Sequence, residues 1–272
     1  MNYLTKTDFI QYLNCPESLW LLKNKKDEYS RFKGEFSEFQ KKIINEGYEV
    51  EEYAEQLFPK SINIQPDHTS LEETKAKLSS DGISFLQPSF SCSGCFARVD
   101  ILAKLHDNTY HIYEVKSSTS IKTGKTQNHI IDASFQKYVM ENAGHTVSKV
   151  SLIYLDKEYR KNGEIIASDL LKVEEITEQV NEIYTETIKN IKKAISFINL
   201  ESMDESKCSC YTKTQSNHCD SFSYFNKQIT DSSIYKLAGI RSNKIEDLIS
   251  MGCISLLDIP LDYKLVLDRV PK

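Results

Sequence analysis

The sequence predicts an α/β fold in which a mixed sheet is flanked by helices, and three observations predict it. Amphipathic helical patterns occupy the first sixty residues, runs rich in Phe, Tyr, Ile and Val fill residues 83–116, and a further helical stretch leads into the continuous apolar run "KVSLIYL". The resulting order is helix, three strands, helix, strand (αβββαβ). With 272 residues, 40% of them hydrophobic and 27% charged, the chain can build one large domain with an appendage, and the composition argues against global disorder.

Thr7 is placed to cap a first helix, "DFIQYLNCPESLWLL", in which Pro16 after Cys15 allows a second start or a kink. "FSEFQKKIINEGYEVEEYAEQLF" carries Phe39, Ile43, Ile44, Val50 and Leu57 at near-helical spacing. "SINIQ" reads as a short strand and "SLEETKAKLSS" as a polar helix. The strands "ISFLQPSF", "GCFARVDILAKL" and "TYHIYEVKSS" follow, the last two joined by a tight turn at "HDN". "NHIIDASFQKYVMENAG" is a helix of about four turns stopped by Gly144. "KVSLIYL" is a strand buried on both faces, and "VEEITEQVNEIYTETIKNIKKAISFINL" is a long helix with a stripe running from Val173 through Ile176 and Val180 to Ile198.

From residue 200 to 228 the composition turns to Ser, Cys, Asn, Thr and Lys, as in a ligand-held loop or a linker. Residues 229–272 pair "LAGI" with "LISMGCISLLDIP" in what looks like a small helical hairpin module. The expected division is therefore 1–199, 200–228 and 229–272. The formal net charge of −5 gives no overall pull toward phosphate, so nucleic-acid binding would need local patches such as Lys23, Lys25 and Lys26, or Lys122 and Lys125. The start has no apolar signal region and no run approaches a membrane span, which makes a cytoplasmic address the expectation. Seven cysteines in a reducing compartment are then buried small hydrophobes or metal ligands rather than a disulfide framework.

The stretch "YHIYEVKSS" carries the chemistry. A strand has period two, so Glu114 and Lys116 point the same way. If the preceding loop is the three residues His106, Asp107 and Asn108, Leu105 pairs with Thr109 and Asp100 falls directly opposite Glu114, with β-carbons about 5 Å apart. A two-residue loop would send Asp100 to the other face. Two carboxylates side by side repel, and a divalent cation reverses that sign: Mg²⁺ binds one or two carboxylates and leaves room for a phosphate oxygen. The same residues also read as a solvated ion-pair lattice of Arg98, Asp100, Glu114 and Lys116. On the nuclease reading the site is partly open, so alanine at Asp100, Glu114 or Lys116 should leave the fold intact and could slightly stabilise the apo protein.

"RVDIL" followed by "YEVKSSTS" resembles the PD-(D/E)xK nucleases, specifically their RecB-like branch, and "DASFQKYVMENAG" resembles that branch's glutamine-bearing helix. "LTKTDFIQYLNCPESLWL", "EGYEVEEYAEQLFP" and the hairpin together resemble an uncharacterised bacterial RecB-like domain family over roughly residues 3–265. The resemblance implies a restriction-endonuclease-like core, DNA as partner, and Mg²⁺ or Mn²⁺ held by Asp100 and Glu114, with Lys116 as catalytic lysine. It implies Gln136 on the substrate backbone or the site lysine, and a further ligand just after Gly47. Relatives often have His there; here Glu51 holds the matching offset and Glu52 is a one-residue alternative. Ser117 and Tyr138 would face substrate, Tyr138 departing from the usual Gln-to-Tyr offset. Members of the family often continue into an exonuclease-like domain, so the end at "DRVPK", which lacks a natural cap, suggests a further C-terminal domain or a partner protein.

One early cysteine, Cys15, and three late ones, Cys208, Cys210 and Cys219, resemble the ligand set of RecB-like nucleases that carry an iron–sulfur cluster. That implies a [4Fe–4S] cluster tying the two chain regions together. The spacing of one residue and then eight departs from the usual CxxC start, and zinc, with His218 as a substitute ligand, is the alternative. Cys92 and Cys95 read as structural and Cys253 as core. The function expected is phosphodiester hydrolysis, against a catalytically silent nucleic-acid-binding or scaffolding module.

Overall fold

A computed structural model of the chain describes residues 3–33, 35, 37–79, 83–124 and 127–264. Lys125, Ser80 and the terminal "DRVPK" lie outside these residues. The chain forms two compact units, Met1–Ile10 with Glu35–Ile195 and Gln11–Gly34 with Ser196–Lys272. Residues 11–34, expected within a 1–199 domain, gather instead with the C-terminal residues, because Leu21 and Tyr29 pack with Tyr224 and Phe225 in one apolar cluster.

The first unit is a mixed α/β structure. Its strands are β1 (Ile62–Asn63), β2 (Ser84–Leu86), β3 (Ser89–Cys92), β4 (Cys95–Arg98), β5 (Ile101–Lys104), β6 (Tyr110–Lys116), β7 (Val147–Leu155) and β8 (Leu171–Glu175). Six of them form one sheet in the order β1-β2-β5-β6-β7-β8, while β3 and β4 pair apart. The β1–β2 and β6–β7 pairings are parallel and the other three antiparallel.

Two strands expected to be continuous are each broken. Gln87 adopts φ 57° just before Pro88, which separates β2 from β3, and the chain bends again at Val99–Asp100 between β4 and β5. The two bends are stitched to each other, since Gln87 N donates to Asp100 O and Val99 N to Pro88 O, both at 2.9 Å. Proline cannot donate to a ladder, so the pairing has to leave the sheet where Pro88 stands.

The strand β8 takes residues expected to start the long helix. Val150 N donates to Thr177 Oγ1 and Ile176 N to Val150 O, so the helix begins at Thr177 and the segment before it pairs with β7. An available sheet edge overrides helical periodicity here. Val173, expected in the buried stripe, is 51% exposed.

The N-terminal helices are α1 (Lys6–Asn14) and α2 (Pro16–Asn24), broken at Cys15 as Pro16 suggests, and followed by α3 (Lys26–Lys33). Thr5 rather than Thr7 caps α1. Thr5 N donates to Asp8 Oδ2 (2.8 Å) and Asp8 N to Thr5 Oγ1 (3.3 Å), a reciprocal capping box. Thr5→Ala is therefore expected to cost about 1 kcal/mol of stability in urea denaturation; an unchanged midpoint would refute the cap. Just before it, Leu4 bridges to Cys95 and exchanges backbone hydrogen bonds with Gly94 and Phe96, adding the N-terminal segment to the edge of β4.

The helix α4 (Glu38–Glu55) starts from a Ser37/Gln40 capping box. Its second half buries Val50 and Ala54 against Val115 and Ile153 on one face of the sheet. Phe39, Ile43 and Ile44 in its first half are exposed, contrary to the helical stripe expected of them. After α5 (Ser70–Leu78), α6 (His129–Asn142) crosses between the parallel β6 and β7, capped by Asn128 and closed at Gly144, φ 93°. It covers the face that carries Glu114. A single turn, α7 (Ala167–Leu170), precedes β8, and α8 (Thr177–Ile198) buries Val180, Ile191, Ala194 and Ile198, with Ile176 buried just before its start.

The second unit joins α2 and α3 to α9 (Phe222–Phe225) and α10 (Ser242–Ser250). Trp20 Nε1 donates to Leu200 O (2.9 Å) and Asn24 Nδ2 to Ile198 O (3.0 Å). Residues 229–264 hold a small core of Ile234, Tyr235, Ile240, Ile245, Leu248 and Cys253. The expected hairpin is not formed as two helical arms: "LAGI" is a turn after the 3-10 segment Ile234–Lys236, and α10 takes in only the first three residues of "LISMGCISLLDIP", which ends in a second 3-10 turn at Leu256–Asp258. Among the described residues no helix is long and apolar enough to cross a membrane.

Candidate active site and cysteine centre

The β5–β6 hairpin has the register that sets two carboxylates side by side. Ile101 pairs with Tyr113 and Lys104 with Tyr110, and Leu105 N donates to Thr109 O across a loop of His106, Asp107 and Asn108. Asn108 takes φ 61°, the left-handed residue that closes a three-residue hairpin loop. Counting on, Asp100 stands opposite Glu114, and its Oδ2 accepts the Val115 N–H at 2.8 Å.

Glu114 is 0% exposed and fully engaged. Its Oε1 lies 2.7 Å from Lys116 Nζ and 2.5 Å from Lys6 Nζ. Its Oε2 accepts from Gln136 Nε2. Burial pushes this carboxyl up, but the Lys116 and Lys6 ammoniums more than offset it and hold it well below the usual range. Asp100 behaves oppositely: burial first, then the Glu114 charge, pushes it up to about 8, against the pull of Lys6. Burial and Glu114 also raise Glu51, which is half-buried on α4, while Glu52 is exposed. Of the two alternatives it is Glu51 that shares the site's field.

Lys116 also contacts Asp132 Oδ2 at 2.6 Å. Burial lowers its ammonium, but Glu114 and Asp132 outweigh that and hold it charged. Gln136, expected at the substrate backbone or Lys116, instead binds Glu114; it is 0% exposed, and its Oε1 has no hydrogen-bond partner among the described residues. Its place in the site is to orient the carboxylate. Tyr138 is buried on the β3–β4 side, its phenol raised by burial and by Cys95 and Cys92, so the structure does not bring it to the carboxylates. The reason is angular: two residues along a helix turn a side chain by about 200°. Arg98 donates to Ser89 Oγ (3.5 Å).

Sequence reasoning missed Lys6 and Asp132. Asp132 precedes Gln136 by four residues, the spacing that shares a helix face, and that signal was present. Lys6 carried no local signal; its position follows from the Leu4 bridge and the Thr5 cap. Above these groups opens a cleft of about 570 Å³ lined by Lys6, Lys116 and Lys122, by Ser117, Ser118 and Asn128, and by Asp132 and Glu46. Ser117 is exposed there. In the second unit, Lys25 of the other basic run is paired with Glu205 at 2.7 Å.

The four cysteines read as one centre do come together. The Sγ atoms of Cys15, Cys208, Cys210 and Cys219 lie within 4.8 Å of one another and could hold a metal or cluster. Cys15 is set by the α1–α2 break, Cys208 and Cys210 by successive turns in which Tyr211 N donates to Cys208 O and Lys213 N to Cys210 O. His218 is turned to Lys213 O (3.1 Å) and stacks on Phe222, so it is not a ligand. Cys92 and Cys95 flank the β3–β4 turn and Cys253 is buried.

No family model matches the chain. No curated protein matches it either. Among solved structures, the crystal structure of SSO0001 is similar over 75% of this chain and 80% of that one, at 14% identity and a TM-score of 0.37.

Proposed function

We propose that the chain is a metal-dependent DNA nuclease of the PD-(D/E)xK type, RecB-like branch, on a restriction-endonuclease-like core. The observation that supports it most is the set of Asp100, Glu114 and Lys116 on one hairpin face beneath an open cleft. Asp100, Glu114 and Glu51 would hold a hard divalent cation: two of them are carboxyls raised by burial and then by the charge of the third, and binding a dication offsets both. Mg²⁺ or Mn²⁺ bound there supplies an acidified water and charge neutralisation at phosphorus.

The chain's own residues do the rest. Lys116, held protonated by Glu114 and Asp132, serves as a cation toward the scissile phosphate and not as a general base. Gln136 and Lys6 fix the Glu114 carboxylate. Lys6, Lys122 and the Ser117, Ser118 and Asn128 side chains offer positive charge and hydrogen-bond donors to the backbone of a nucleic acid in the cleft. This local surface answers the net charge of −5.

The other reading is a silent nucleic-acid-binding module. The observation on its side is that both Glu114 oxygens are already taken by protein groups. Incubating pure protein with labelled single- and double-stranded DNA in Mg²⁺, Mn²⁺ or EDTA separates the two. The nuclease reading expects cleavage with metal, none in EDTA, and none from an Asp100→Asn, Lys116→Met double variant. Binding without turnover under every condition, or cleavage undiminished in that variant, overturns it.

A further inference from the structure

We infer that Cys15, Cys208, Cys210 and Cys219 hold one zinc ion rather than the four-iron cluster that the sequence resemblance implies. The argument is one of size. All four sulfurs lie within 4.8 Å of one another, and those of Cys208 and Cys219 are 4.0 Å apart. A tetrahedral zinc ion about 2.3 Å from each thiolate sets its sulfurs about 3.8 Å apart. A [4Fe–4S] cube puts a separate iron under every thiolate and spreads the sulfurs to about 6.5 Å. Admitting the cube would require every sulfur pair to open by more than about 1.5 Å, whereas zinc needs at most about 1 Å of contraction.

The surroundings resist opening. Cys15, Cys208 and Cys210 are buried in an apolar cluster with Leu21, Tyr29 and Phe225. Cys15 N is tied to Gln11 O at 2.7 Å, and the one-residue spacing of Cys208 and Cys210 is held by the two turn hydrogen bonds that follow them. Expansion would break packing on several sides, and close-packed interiors yield poorly to that.

The chemistry agrees. Four soft sulfur donors in a compact, largely buried site, with no fifth protein ligand among the described residues, suit a closed, structural ion. Asn226 Nδ2 approaches Cys208 Sγ at 3.6 Å, an outer donor to a metal-bound thiolate. The Lys213 ammonium donates to Asn14 Oδ1 at 2.9 Å and also to Asn14 O, from which Cys210 Sγ lies 4.0 Å, so a cation stands beside the thiols. It offsets part of the net −2 that four thiolates leave on a dication.

The test is metal and acid-labile sulfide analysis of the full chain purified with and without oxygen, beside its absorption spectrum and that of Co²⁺-exchanged protein. Zinc in these thiols predicts about one zinc per chain, no sulfide, colourless protein in both preparations, and the ligand-field bands of a tetrahedral thiolate site with Co²⁺. Cys15→Ser should lose the zinc and Asp100→Asn should keep it, which assigns the metal to the thiols whatever becomes of the nuclease reading. Brown anaerobic protein with iron and sulfide, iron of any stoichiometry in place of zinc, or metal-free folded protein whose four thiols react freely would overturn the inference. The wild-type analysis stands alone should Cys15→Ser fail to fold.

Discussion

Glu114→Ala is expected to abolish metal-dependent cleavage, on the order of 10³-fold or more, and to destabilise the fold by about 3 kcal/mol. Removing one member of a buried ion pair strands its partners, at a usual cost of about 3–5 kcal/mol. Here Lys116 keeps Asp132 and both lysine side chains retain some solvent, 19% and 28% exposed, which places the loss at the lower end. The sequence reading expected the fold to be indifferent, even slightly relieved, because it placed Glu114 at a partly open site. Full burial and three partners reverse that expectation. Urea denaturation and a cleavage assay check the two halves separately: a Glu114→Ala protein as stable as its parent would refute the buried network, and one as active would refute the site.

Asp100→Asn should show the opposite stability sign together with the same loss of activity. The folded Asp100 carboxyl titrates at about 8, against about 3.9 in an unfolded chain. Between those values the folded state keeps a proton that the unfolded state has released, so this group makes stability fall as pH rises through the window. Asparagine has no proton to lose and retains an oxygen for Val115 N. In EDTA, then, Asp100→Asn should melt above the parent, with the gap widening from pH 5.5 to 8.5. Other groups facing Asp100 do not cancel this. The depressed Glu114 and the raised Lys6 contribute stability that is constant across the window, and the raised Glu51 is present in parent and variant alike, so it leaves the gap between them unchanged. Excess Mn²⁺ should narrow the gap by stabilising the parent alone. A gap flat in pH, or a less stable variant, would show that Asp100 is ionised in the metal-free protein.

The hairpin that carries the site was legible as a choice between two loop lengths, and the three-residue loop closed by Asn108 at φ 61° is the one that sets Asp100 opposite Glu114. The meeting of Cys15 with Cys208, Cys210 and Cys219 was legible through the sequence resemblance, which singled out one early and three late cysteines, and not through their spacing, which departs from the usual CxxC start. What escaped depended on distant partners. Pro88 signalled an interruption, but nothing near Asp100 announced that the bend there would be hydrogen-bonded to the one at Gln87. Residues 171–175 alternate weakly and became a strand because β7 offered an edge. Lys6 reaches Glu114 across more than a hundred positions of sequence, a contact that no local pattern encodes.

The discontinuous make-up of the second unit bears on how the protein is made. Cys15 leaves the ribosome about 190 residues before Cys208, which at ordinary elongation rates is roughly 10–40 s. Throughout that interval α2 and α3 lack the Tyr224 and Phe225 side chains they pack against, while the sheet unit, Met1–Ile10 with Glu35–Ile195, is made in full before Cys208 appears. The order of synthesis therefore makes the carboxylate site's residues first and leaves Cys15 without its three partner thiols until the last quarter of the chain emerges to enclose it.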